Sequence, residues 1–210
     1  MSLSATLWNA NQDIATACLE CSFVRGIATG TLPRDRFANY VGQDAFFLKA
    51  FAQAYSIAAA KSPDWEGFQV FHHLADGVLQ ELQLHEGYAR AWNVEIDEIE
   101  PNATARYYTD FLLATAWRYD VGTTAAAMSP CMRLYFFLGR ELAKNGIPES
   151  PYSDWIATYS SEDFAPLVEQ LETLVDRYAT ETPELHQMYR YAMQCELEFF
   201  EAAEKSPSEF

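Results

Sequence analysis

Cysteine follows proline in Ser129-Pro130-Cys131-Met132-Arg133-Leu134-Tyr135, a stretch whose surroundings otherwise read as one continuous helix. Proline inside a helix leaves the carbonyl four residues earlier without its donor, at a cost of roughly 3 kcal/mol. Two readings follow. In one, a bent helix turns the Cys131 thiol toward a cavity, with Tyr135 one turn later on the same face. In the other, a small buried cysteine sits beside a tolerated kink. Asp44 lies on the most apolar helix face of the chain, between Tyr40 and Phe47. A carboxyl group there needs partners, because burying it alone is costly, so it reads as an acceptor for donors on a ligand or as a structural ion pair or hydrogen bond. Glu196 repeats the pattern near Phe199 and Phe200. Burial would raise its pKa and suit it to proton transfer, while the alternative is one more exposed helix acid beside Glu198, Glu201 and Glu204.

The remaining chemistry-bearing residues point elsewhere. Cys18-Leu19-Glu20-Cys21 is a C-x-x-C inside a helical pattern with no second pair, and it reads as packing. Of His72, His73, His85 and His186, only His85 has a carboxylate one turn away, at Glu81. That pair reads as a helix-surface or interhelical contact, since the paired Glu-x-x-His motifs of di-iron bundles are absent. Gly-rich phosphate loops and the G-x-S-x-G elbow are absent too. No metal and no cofactor is expected.

The elements that must position these residues follow helical periods. Residues 4–28 run to a stop at Gly30, and Thr31-Leu32-Pro33 opens the next helix, residues 33–60, with Phe37, Tyr40, Val41, Asp44, Phe47, Leu48, Phe51 and Tyr55 at spacings of three and four. Ser62-Pro63 is read as the cap of a third helix to about Trp92, and Glu100-Pro101-Asn102 opens a fourth to Tyr119. The helix containing Pro130 ends at Lys144-Asn145-Gly146, a brief helix carries Trp155 and Ile156, and two more run to Tyr178 and to about Glu204. The pattern predicts an all-α fold of about seven or eight helices in a single domain over residues 1–210, with residues 205–210 a frayed tail.

The chain has 30 acidic against 14 basic side chains, a formal net charge of −16, half of its residues apolar and 15% aromatic. That charge opposes binding to nucleic acid or anionic membranes and favours small-molecule partners or copies of itself. Four scattered cysteines and the lack of a leader pattern or a membrane-length apolar run fit a cytoplasmic protein.

Several segments in order resemble the TenA family, the thiaminase II enzymes of the haem-oxygenase-like helical fold. They are Gly30-Thr31-Leu32-Pro33 with Phe37, Tyr40, Gln43 and Asp44; Glu81 with Leu84 and His85; Pro130-Cys131 with Leu134 and Tyr135; Tyr152 with Trp155, Ile156, Tyr159 and Phe164; and Glu196 with Phe199. The resemblance implies a hydrolase that replaces the exocyclic amine of 4-amino-5-aminomethyl-2-methylpyrimidine by hydroxyl in thiamine salvage, with thiamine itself as a further substrate, and a homotetramer. By it Cys131 is the nucleophile, Glu196 the acid and base toward the ring, and Asp44 the anchor of the ring's amino group and nitrogen. Phe47, Tyr108, Tyr135, Tyr159 and Phe199 would stack on the ring or orient its polar groups. Phe47, Arg133 and Phe200 depart from residues frequent in the family, and the lost phenol and added cation bear on the preferred leaving group. A haem-oxygenase-like metal-dependent oxidase and a non-catalytic regulatory protein are the alternatives.

Overall fold

In the computed structural model the described residues are 1–92 and 100–205, and of residues 83–92 only the backbone is described. The side chains of Leu84 and His85, and the tail from residue 206, lie outside the described residues. The described chain holds ten helices and no strand: α1 (Leu3–Asn9), α2 (Gln12–Glu20), α3 (Ser22–Thr29), α4 (Arg34–Lys61), α5 (Trp65–Trp92), α6 (Ala103–Arg118), α7 (Val121–Ala143), α8 (Ser153–Ser160), α9 (Ala165–Tyr178) and α10 (Pro183–Ala203). The all-helical expectation holds, and the count exceeds it because residues 4–28 form three helices instead of one.

Local hydrogen bonding explains the extra breaks. The buried Asn11 donates from Nδ2 to the Leu7 carbonyl at 2.8 Å, which ends α1, and accepts from Arg190. Cys21 leaves the helical region with ψ near 151° and separates α2 from α3. α3 then stops at Gly30, whose φ of 70° is readily adopted by glycine. Asp64, not Ser62, caps α5 by accepting from the Gly67 N–H at 2.9 Å. Asn102, Asp120 and Thr182 cap α6, α7 and α10 in the same way.

α4 packs along α5 and α6, while α7 packs against α8, α9 and α10. One continuous hydrophobic core links both groups. α7 passes through Pro130 as an unbroken helix. The Ala126 carbonyl, which loses its usual donor at position 130, accepts instead from the Ser129 hydroxyl at 3.3 Å. No described helix is long and apolar enough to cross a membrane.

Two glycines let α7 approach its neighbours closely. A Cβ on Gly122 would stand 2.3 Å from the Tyr178 carbonyl carbon, and one on Gly139 would stand 2.4 Å from that of Tyr159. Both obstacles are backbone, so neither can swing aside. Gly139→Ala is expected to lower the unfolding midpoint by roughly 2–12 °C, the consequence of about 1–3 kcal/mol of overpacking in a chain of this length. Calorimetry giving an unchanged midpoint would show that α7 and α8 part without cost.

Candidate active site

Helical spacing brings chemistry from separate elements to one space. α4 presents Asp44, Phe47, Leu48 and Phe51 on one face, and α7 presents Cys131, Met132 and Tyr135 opposite. Glu81 of α5, Tyr159 of α8 and Phe164 complete the wall. The cavity between them has an empty volume of about 310 Å³. Cys131 and Glu81 keep some accessible surface because they border this void.

Behind the wall lies a chain of proton-bearing groups. The Tyr108 hydroxyl donates to Glu196 Oε1 at 2.6 Å, and the Cys131 thiol lies near enough to the same carboxyl group to act on it. Burial pushes Glu196 up to about 7, against the lowering effect of Tyr108 and Cys131 beside it. Burial also raises the Cys131 thiol well above its ordinary value, and the charges of Glu196, Asp44 and Glu81 add to the effect. Asp44 is raised well above the usual carboxylate range by burial and then by Glu81 and Glu196. The resting site therefore favours protons on its acids and a neutral thiol.

Aromatic side chains hold these groups in place. The Tyr40 hydroxyl donates to the Tyr135 hydroxyl at 3.1 Å and accepts from Trp155 Nε1 at 3.3 Å. Tyr135 meets Tyr159 edge-on at 4.8 Å between ring centres. Phe47 packs on Tyr108 at 4.9 Å and on Phe199 at 6.1 Å. Tyr108, Glu196 and Phe199 thus form a layer outside the cavity lining, whereas Asp44, Phe47, Cys131, Tyr135 and Tyr159 line it directly.

Several expectations change. Arg133 does not enter the cavity: its Nε lies 3.6 Å from Glu172 and its guanidinium covers the Trp8 ring, so it adds no cation to the site. Phe200 stacks in the core against Phe23, Tyr40 and Tyr135. Cys18 is buried and free, in keeping with a packing role for the C-x-x-C. Of the two readings of Glu81, the interhelical one holds, since it accepts from the Tyr159 hydroxyl of α8 at 2.8 Å, but its place on the cavity wall was not among the expected site residues. Sequence reasoning also missed Tyr40 as an anchor. The signal was present in both, since Glu81 is a lone acid near the apolar face of its helix and Tyr40 lies one turn from Asp44. Among the described residues, no three His, Cys, Asp or Glu side chains form a group able to hold a metal ion.

Glu196 binds its proton more tightly in the folded chain, at about 7, than at its ordinary value of 4.5, so stability from this group is full below that lower value and is lost as pH rises through 7. The loss amounts to about 3 kcal/mol. Glu196→Gln should therefore gain in unfolding midpoint relative to the parent as pH goes from about 5 to about 8. A difference between the two proteins that stays constant across that range would contradict the raised carboxyl.

A family model described as TENA/THI-4/PQQC family matches residues 8–206. The chain is 34% identical over 203 residues to the bifunctional TH2 protein, mitochondrial, of Arabidopsis thaliana, covering 84% of this chain but only 33% of that longer protein. It is 30% identical over 216 residues to the aminopyrimidine aminohydrolase of Halalkalibacterium halodurans, covering 97% of this chain and 96% of that one. Its fold matches a TenA homologue protein from P. horikoshii OT3 with a TM-score of 0.89 at 24% identity, over 97% and 98% of the two chains. With its family model spanning nearly the whole sequence and its fold shared end to end, the chain belongs to the TENA/THI-4/PQQC family.

Proposed function

We propose that this protein is an aminopyrimidine hydrolase of thiamine salvage, acting as one domain over residues 1–210. Its substrate is 4-amino-5-aminomethyl-2-methylpyrimidine, with thiamine as a second substrate cleaved at the same methylene carbon. The observation that carries the reading is the Cys131 thiol, near Glu196, on the wall of an aromatic cavity shared with Asp44. The H. halodurans relative supports it, being named for this activity and matching end to end.

Each group has a role suited to its environment. Asp44, raised by burial, donates a proton toward a ring nitrogen and accepts from the neighbouring amino group. The ring, thus electron-poor, lies among Phe47, Tyr135 and Tyr159, with Tyr108 and Phe199 supporting from behind. Glu196 takes the Cys131 proton, the thiolate adds to a ring carbon, and Glu196 returns that proton to the ring. The exocyclic amine departs with the electrons of its bond to the methylene carbon, and a water oxygen bonds to that carbon. The water's proton leaves with the amine as ammonium, the ring sheds the thiolate, and Cys131 regains its proton through Glu196. The neutral resting thiol is no obstacle, because Glu196 lies within reach as its base.

The four free cysteines and acidic charge support a cytoplasmic setting. Exposed Leu79 and Trp117, together on one apolar cleft, support assembly into a homotetramer.

Cys131→Ser is expected to reduce ammonia release from the aminomethylpyrimidine roughly a thousandfold or more while leaving the fold intact. Undiminished turnover would end the nucleophile assignment. Because the free enzyme must carry Glu196 ionised, kcat/KM should rise with pH through about 7. Tyr108→Phe removes a hydrogen bond that favours the ionised carboxylate, so the rising limb should move to higher pH. A limb unmoved, or moved down, would place the titration on another group.

A further inference from the structure

Glu81 stands where two spaces meet. Together with Met132 and Phe164 it lines both the inner cavity and a larger outer cleft with an empty volume of about 1190 Å³. Its carboxyl group is fixed by the Tyr159 hydroxyl at 2.8 Å, which leaves it a defined direction at this boundary. Tyr55 also lines the outer cleft, and its buried hydroxyl has no hydrogen-bond partner among the described residues. A hydroxyl in that state gains a hydrogen bond when a ligand brings a donor to it. Both Cys131 and Glu81 act electrostatically on the Tyr55 phenol, which places it near the junction. The described lining of the inner cavity contains Asp44 and Glu81 and no lysine, arginine or histidine.

Resting on the function proposed above, we infer that Glu81 and Tyr55 form the seat for a positively charged group on the exocyclic methylene, the part of the substrate that leaves. A ring held by Asp44 and Cys131 occupies the inner cavity, and the group it sheds passes the boundary where Glu81 stands. A primary aminomethyl substituent is an ammonium at neutral pH; burial raises the Glu81 carboxyl, the arriving cation draws it into its ionised form, and the ammonium donates to that carboxylate and to the Tyr55 oxygen. The thiazolium of thiamine is a fixed cation and meets the same carboxylate. The hydroxymethyl product carries no charge there, so it loses the Glu81 contact and dissociates. Glu81 thereby distinguishes substrate from product by one positive charge.

The test uses the Cys131→Ser protein, in which ligands bind without turnover. Calorimetry should give at least tenfold tighter binding of the 5-aminomethyl pyrimidine than of its 5-hydroxymethyl counterpart. Adding Glu81→Gln should bring that ratio to within about twofold of unity, leaving the hydroxymethyl affinity unchanged. Adding Tyr55→Phe, which removes a hydroxyl unbonded in the resting protein, should reduce the ratio several-fold and leave the unfolding midpoint unchanged. The inference is overturned by a ratio near one in Cys131→Ser itself, or by either added substitution weakening both ligands equally or neither. Turnover by the parent protein is a separate measurement: its absence would sink the hydrolase reading, while the binding ratios still decide the role of Glu81.

Discussion

Burying Glu196 beside a thiol, deep in an apolar interior, is the demand around which the rest of the molecule is organised. A carboxylate removed from water must be hydrogen-bonded, protonated or both, and here it is held between Tyr108 and Cys131. Those two residues come from α6 and α7, so the helices must keep register with α10 for the arrangement to survive. The packing of α7 and α6 on α10 is thus part of the site's chemistry. The aromatic residues around it serve the same end. Phe47, Tyr40 and Phe199 pack on one another in the same core, and burial there is what brings the Glu196 pKa near neutrality.

α7 is the element that carries the thiol, and its sequence shows the accommodation. Pro130 removes a backbone donor directly before Cys131, and Ser129 restores a hydrogen bond to the carbonyl left behind. The helix remains continuous through the proline. Gly122 near its start and Gly139 toward its end let α9 and α8 close down on it. The second of these contacts is with Tyr159 itself, so a backbone approach sets the position of a cavity ring.

Much of this was legible from residue types and periods. The α4 stripe from Phe37 to Tyr55 showed which face is buried, and it placed Asp44 among aromatic rings before any coordinates. The Pro130-Cys131 pair marked α7, and the resemblance gave its partners. Less legible were features set by tertiary contact. The breaks at Asn11 and Cys21 depend on a side chain reaching a local carbonyl and on chain direction, neither of which disturbs hydrophobic spacing. Glu81 was open between a helix-surface and an interhelical contact because its partner, Tyr159, is distant in sequence. Arg133 sits two residues after the cysteine, which on a helix turns it well away from the cavity and toward Glu172.

The acidic surroundings of Cys131 have a bearing on durability. Peroxide and electrophiles attack the thiolate form of cysteine, and most reactive cysteines lie in electropositive settings that keep that form populated. Cys131 lies in the opposite setting, so an empty pocket leaves its sulfur largely inert. A thiol kept protonated in this way is a poor target for sulfenic acid formation, and any reaction it enters first needs a base to take its proton.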